Sequence, residues 1–143
     1  MRKILSILFV LFCWSIKANP PKHKLSIYIP NLSSARGYLR LIVFNSPNGF
    51  PSDYQKAVFA ESYAVKSSSI LIELPELPED NYAIAIFHDE NSNNRFDLNL
   101  IGVPKEGYGF SNNAKAILGP PSFQDAKIFL NSNVKITMEL KYW

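Results

Sequence analysis

Residues 82–88 have the sequence YAIAIFH, and this stretch decides the class of fold. Successive side chains of a β-strand point to opposite faces, so the even-numbered residues share one face and the odd-numbered residues share the other. Both faces carry mainly apolar side chains, and His88 ends one of them. The pattern therefore predicts a central strand that is covered on both sides.

Six further runs rich in β-branched and aromatic residues lie around this strand, separated by Pro, Gly, Asn and Ser. The seven predicted strands are residues 25–29, 38–44, 57–65, 69–74, 82–88, 126–130 and 134–142. Because no long helical period interrupts them, they predict an all-β fold, a seven-stranded antiparallel β-sandwich.

The size and charge of the chain exclude several classes of function. It has 143 residues, of which 47% are hydrophobic and 19% charged, the balance of one globular domain. The net charge of +3 comes from Arg2, Lys3 and Lys17 at the start of the chain, where no acidic residue lies. The remaining residues carry equal numbers of acidic and basic groups, so we expect no nucleic-acid partner.

Residues 1–18 have the pattern of a secretory signal peptide: basic residues, an apolar run over 4–16, and Ala18 before a proline pair. The apolar run is too short to cross a bilayer as a helix, so cleavage after Ala18 predicts an exported protein, periplasmic or secreted, without stable membrane insertion. Residues 19–143 are then one sandwich domain, which we expect to be a monomer. Cys13, the only cysteine, falls in the leader, which excludes disulfides and thiolate catalysis from the mature chain.

Residues 89–125 lack the strand period and form one long loop. Four of the six glycines and a series of asparagines fall in this loop. Such residues supply positive φ angles and side-chain bonds to the backbone, so the loop is expected to be ordered. Connections of this length are usually functional, and we therefore expect the functional site here.

The start of the loop has the spacing of a calcium-binding segment. Oxygen-bearing side chains stand at positions one, three, five and nine, namely Asp89, Asn91, Asn93 and Asp97. Asn94 takes the turn position, the carbonyl of Arg95 is a further ligand, and Glu106 completes the shell in this hypothesis. Leu100 replaces the final glutamate of an EF-hand, so the segment is not an EF-hand, and two carboxylates predict weak Ca²⁺ binding. The alternative is that these residues only cap turns.

Two further hypotheses concern the rest of the loop. Tyr108 and Phe110 alternate with glycines and either present a platform for a glycan or peptide ligand or anchor the loop to the core. His88, Glu106 and Asp89 are the candidate residues of a small hydrolytic enzyme with its site in residues 88–124. The alternative for His88 is a half-buried histidine bonded to a loop carbonyl. No catalytic triad is recognisable, so an enzyme is the less favoured hypothesis.

The same loop carries a family resemblance. The motifs are HDENSNNRFD over 88–97, GVPKEGYGFSNN over 102–113 and PPSF over 120–123. With them the chain resembles domain-of-unknown-function family 2141, small exported bacterial proteins, which implies a signal peptide and a β-sandwich but no established activity. Residues 77–85 are also similar to a segment of prealbumin-like sandwich repeats. The expected topology is therefore immunoglobulin-like or prealbumin-like, and the expected function is a binding or structural module of the periplasm or cell envelope.

Overall fold

The computed structural model describes residues 18–143, which contain ten β-strands and one short α-helix. The strands are β1 Lys22–His23, β2 Leu25–Ile29, β3 Tyr38–Phe44, β4 Phe59–Ala64, β5 Ile70–Glu73, β6 Leu77–Pro78, β7 Asp80–Asp89, β8 Tyr108–Phe110, β9 Ile128–Leu130 and β10 Val134–Thr137. The helix α1 is Phe123–Ala126. The predicted signal peptide, residues 1–18, lies outside the described residues except for Ala18. Among residues 18–143 no helix has the length and apolar character that crossing a bilayer requires.

The larger sheet has five strands, in the order β4-β3-β7-β8, with β9 pairing the first half of β7. All of its pairs are antiparallel. β7 has partners on both sides, and residues 82–89 are buried throughout. The prediction that YAIAIFH is a central strand covered on both faces is therefore confirmed.

The smaller sheet has three strands in the order β10-β2-β5, and β1 and β6 form a separate two-stranded ribbon. β5 is antiparallel to β2, but β10 runs parallel to β2, with Val134 opposite Leu25. The predicted all-β fold, an antiparallel β-sandwich, is confirmed, and this one parallel pair departs from it. β10 and β2 are near opposite ends of the chain, so the pair needs no tight turn and its direction was not visible locally.

Alternate side chains of the two sheets build the main core. Leu25, Ile27 and Ile29 of β2 are fully buried, and they belong to one cluster with Leu39, Leu41 and Val43 of β3 and with Ile84 and Ile86 of β7. This cluster fills the space between the sheets, as in a two-layer sandwich.

The outer face of the larger sheet, the side turned away from the smaller sheet, carries a second core cluster. Ile42 and Phe44 of β3 and Ala83 of β7 pack there against Phe123 and Ala126 of α1. The predicted 89–125 loop supplies this cover and is less irregular than expected, since it contains β8 and α1. Ser122 caps α1 in a capping box with Asp125, so Ala126 ends a helix and does not begin the predicted strand 126–130.

Candidate functional site

Asp89 ends β7 on the outer face of the larger sheet and organises the loop that follows. It is fully buried and pairs with Arg40 of β3, whose Nε and Nη2 donate to Asp89 Oδ2 at 2.9 and 2.6 Å. The backbone N–H groups of Asn93 and Asn94 also donate to this carboxylate, each at 3.0 Å. Asp89 therefore joins the sheet to the turn of the loop through one charge-assisted network.

The next residues form a series of side-chain turns. Asn91 Oδ1 accepts the N–H of Asn93, and Asn93 Oδ1 accepts the N–H of Arg95, at 3.0 and 2.8 Å. Both asparagine amides donate to Asp97 Oδ2, at 2.7 and 2.8 Å. Asn94 has φ +64°, the left-handed conformation that the spacing predicts at the turn position. The predicted oxygen ligands of the segment are thus gathered in one turn, and the Asp97 carboxylate accepts the side-chain N–H groups of both asparagines.

Glu106 lies against the end of this turn. Its side chain is buried, with an exposed fraction of 5%, and Oε2 accepts the N–H of Asp97 at 3.1 Å. Oε1 has no hydrogen-bond partner among the described residues. Burial raises the pKa of Glu106, and the hydrogen bond from the Asp97 N–H lowers it. The nearby carboxylates of Asp89, Asp97 and Glu90 raise it further, so the pKa lies above its usual value.

Glu90 anchors the other side of the loop base by binding to the segment between β2 and β3. The hydroxyl groups of Ser33 and Ser34 each donate to its carboxylate at 2.7 Å, and Arg36 Nη2 lies at 3.5 Å. Burial raises the pKa of Glu90, but these hydrogen bonds and the charges of His88 and Arg36 outweigh it and lower the pKa below its usual value. The loop base is therefore anchored on both sides.

His88 lies on the inner face of β7 and is fully buried. Nδ1 is 3.0 Å from the Tyr142 hydroxyl and Nε2 is 2.8 Å from the backbone oxygen of Arg36. Both ring nitrogens are engaged within the protein. The bond to a loop carbonyl agrees with the alternative given for His88, but the ring is fully buried where half-burial was expected. The hypothesis of a hydrolytic site with His88, Asp89 and Glu106 therefore lacks a base that a substrate could reach.

Tyr108 and Phe110 lie elsewhere, in an open apolar cavity of about 530 Å³ on the outer face of the larger sheet. We call this cavity the outer groove. Its floor includes Ile42, Ala85 and Phe87, and its walls come from residues 96–104, 116–120 and 51–54. A row of rings lies along it: Phe87, Phe96, Tyr108 and Phe110, with neighbouring centroids 5.5, 5.7 and 6.0 Å apart in edge-to-face arrangement.

The predicted site residues therefore separate into two groups, apart from His88 on the inner face of β7. Asp89, Asn91, Asn93, Asp97 and Glu106 meet around one turn, whereas Tyr108 and Phe110 line the outer groove. No three or more His, Cys, Asp or Glu side chains converge in residues 18–143 in the manner of a metal centre. Arg95, whose backbone carbonyl is the further predicted ligand, belongs to the same turn. Its backbone N–H donates to Asn93 Oδ1.

Three residues of this region were not predicted from the sequence. Arg40 is the only charged residue in the apolar strand YLRLIVF, a signal that indicated a buried partner such as Asp89. Phe96 and Trp143 line the outer groove, but both lie in irregular segments, so no local pattern identified them.

Fold and site together define a class of protein: a small β-sandwich whose outer sheet face is covered by an ordered loop with an apolar groove beneath it. The chain belongs to the family DUF2141, described as an uncharacterized protein conserved in bacteria, and the family model matches residues 27–137. The resemblance noted from the motifs of the loop is thereby confirmed. Searches of curated proteins and of solved structures give no significant match to the chain.

Proposed function

We propose that this protein is an exported binding module that holds an apolar group of a small ligand or peptide in the outer groove. The observation that carries the proposal is the groove itself, at about 530 Å³ with mainly apolar and aromatic lining. Ligand sites typically have such a volume and such a lining, with a few polar groups that fix orientation. Export is supported by the predicted signal peptide in residues 1–18.

The lining favours one class of ligand over another. The side-chain hydroxyl groups at the groove are those of Ser52, Tyr54 and Tyr108, while six aromatic rings offer faces and edges. A glycan has many hydroxyl groups to satisfy, which this lining serves poorly. An aromatic or branched aliphatic group leaves no buried polar atom unpaired, so a peptide side chain or an apolar small molecule fits better than a sugar ring.

Binding of a neutral fluorescent probe, N-phenyl-1-naphthylamine, tests the proposal. Ala116 lines the groove from the irregular segment after β8, so Ala116→Trp fills part of it. We expect at least a tenfold loss of probe affinity, because the probe and the new ring need the same space. Lys115→Trp is the matched control, since Lys115 is exposed and does not line the groove.

The proposal fails if the wild-type protein does not bind the probe, or if both tryptophan variants bind it as the wild type does. A glycan array and a peptide library, each screened with the wild type and with Tyr108→Ala, then distinguish the two ligand classes. Loss of a hit on Tyr108→Ala assigns that ligand to the groove, because Tyr108 is half-buried in its wall.

A second candidate function is Ca²⁺ binding by the 89–97 turn. Two observations support it: the oxygen donors keep the spacing of a calcium segment around one turn, and the buried Oε1 of Glu106 has no partner beside that turn. Asp89, Asn91, Asn93, Asp97 and the Arg95 carbonyl would hold the ion, with Glu106 as a further oxygen. Isothermal titration calorimetry tests this directly, and no heat of binding at millimolar Ca²⁺ would contradict it.

A further inference from the structure

Two short segments beside the outer groove carry aliphatic side chains that lie entirely in water. Leu100 and Leu118 are fully exposed, at 106% and 102%, and Ile101 and Ile117 are exposed at 84% and 82%. A single exposed leucine is ordinary in a soluble protein, but grouped exposed aliphatic residues mark an interaction surface. We call residues 98–101 and 117–118 the two apolar tips.

The two tips lie on the same side of the molecule. Leu98 of the first tip and Ile117 of the second line the same groove, so both tips lie beside it. Tyr54 and Trp143 line the same groove and are 52% and 71% exposed. Tyrosine and tryptophan combine an apolar ring with a polar group, which suits them to the boundary between hydrocarbon and water.

Exposed cations lie close to the tips along the chain: Lys105 follows the first tip by four residues and Lys115 precedes the second by two. The carboxylates nearest in sequence are that of Glu106, which is buried, and that of Asp97, which accepts the side-chain amides of two asparagines. Lys141 adds a further cation over the Trp143 ring at 3.5 Å. Basic side chains beside exposed apolar groups are what attracts a protein to an anionic lipid surface.

We propose that this face docks on a lipid bilayer with anionic headgroups, with the two apolar tips entering the acyl boundary and the lysines meeting the headgroups. The tips project from separate irregular segments, and a fluid bilayer receives such separate projections without a matching pocket. The lysines identify the headgroup charge, and the exposed rings of Tyr54 and Trp143 mark the interfacial level. This inference does not depend on the ligand-binding function, because Leu100 and Leu118 do not line the groove.

Vesicle co-sedimentation of the purified protein tests the proposal. Vesicles of phosphatidylcholine alone are compared with equimolar phosphatidylcholine and phosphatidylglycerol. The double variant Leu100→Gln, Leu118→Gln removes the most exposed aliphatic groups without changing the core. We expect the protein to bind the anionic vesicles, and the variant to bind them at least about tenfold more weakly, since each leucine loses its transfer into hydrocarbon.

The control is the double variant Leu71→Gln, Phe129→Gln, which removes two side chains exposed at 50% and 56% that do not line the groove. It should bind vesicles as the wild type does, and thermal unfolding confirms that both double variants are folded. The double variant Lys105→Gln, Lys115→Gln should bind the anionic vesicles more weakly than the wild type does, with no change in its binding to the neutral vesicles.

Three results would overturn the proposal: no binding of the wild type to anionic vesicles, equal binding to the neutral vesicles, or unchanged binding of the tip variant. The first of these would instead favour a protein partner for the tips. Retention of the naphthylamine probe by the tip variant separates failure of docking from failure of the groove.

Discussion

Replacing Asp89 by asparagine tests whether this carboxylate holds the loop to the sheet. Asp89 accepts two N–H groups of Arg40, at 2.9 and 2.6 Å, and the backbone N–H groups of Asn93 and Asn94, both at 3.0 Å. An amide has one oxygen and a donating nitrogen, so asparagine cannot accept all four donors. Arg40 also loses the negative charge that compensates it.

The size of the effect follows from the burial of the pair. Removing one partner of a buried ion pair costs about 3–5 kcal/mol. Asp89 is fully buried, but the Arg40 side chain keeps 14% exposure and recovers part of its hydration. We therefore expect the lower end, about 3 kcal/mol of the free energy of unfolding. At about 4 °C per kcal/mol, Tm falls by about 12 °C.

Thermal and urea unfolding of the variant measure this loss, and Asp125→Asn is the matched control. Asp125 is an exposed carboxylate in the capping box of α1, so the same chemical change costs about 1 kcal/mol or less there. A double-mutant cycle with Arg40→Met should give a coupling energy above about 1 kcal/mol. Equal losses at Asp89 and Asp125, or additive effects of Arg40→Met and Asp89→Asn, would refute the assigned role of the pair.

Two further predictions concern the carboxylates beside this network. Glu106 has a raised pKa, so the folded protein binds its proton more tightly than the unfolded chain does. The free energy of unfolding should therefore fall as pH rises from the usual carboxyl pKa to the raised one. Glu106→Gln should reduce this pH dependence in thermal melts between about pH 4 and pH 7. A slope unchanged in Glu106→Gln would assign the dependence to another group. If the 89–97 turn binds Ca²⁺, millimolar Ca²⁺ should raise Tm of the wild type and chelator should reverse the rise. Asp97→Asn removes one of the expected carboxylate ligands and should show at least a tenfold weaker calcium affinity. Equal Ca²⁺ affinity of Asp97→Asn and the wild type would place the ion elsewhere.

Local pattern was sufficient for most strands, although the short strands β1, β6 and β8 were not predicted and β10 ends at Thr137 instead of residue 142. Residues 25–29 and 38–44 are strands with the predicted bounds, and 82–88 lies within β7, because alternation of apolar side chains is a property of neighbouring residues. Asn94 likewise adopts the left-handed conformation indicated by its place in the turn. The family resemblance also came from local motifs, which is why the family model agrees with it.

The choice of partners required the tertiary structure. Asp89 pairs with Arg40, 49 residues earlier in the chain, and both ring nitrogens of His88 bond to groups more than 50 residues away. The parallel β2–β10 pair and the outer groove also combine distant segments.

The sequence by itself thus determined most of the strands, which strand is central and which segment carries the long loop, since these depend on spacing along the chain. Only the tertiary structure decided that His88 turns inward to bond with the core while Asp89, its neighbour, turns outward to hold the loop. The physical reason is that adjacent residues of a strand face opposite layers, and what each layer contains is set by segments far away in the sequence.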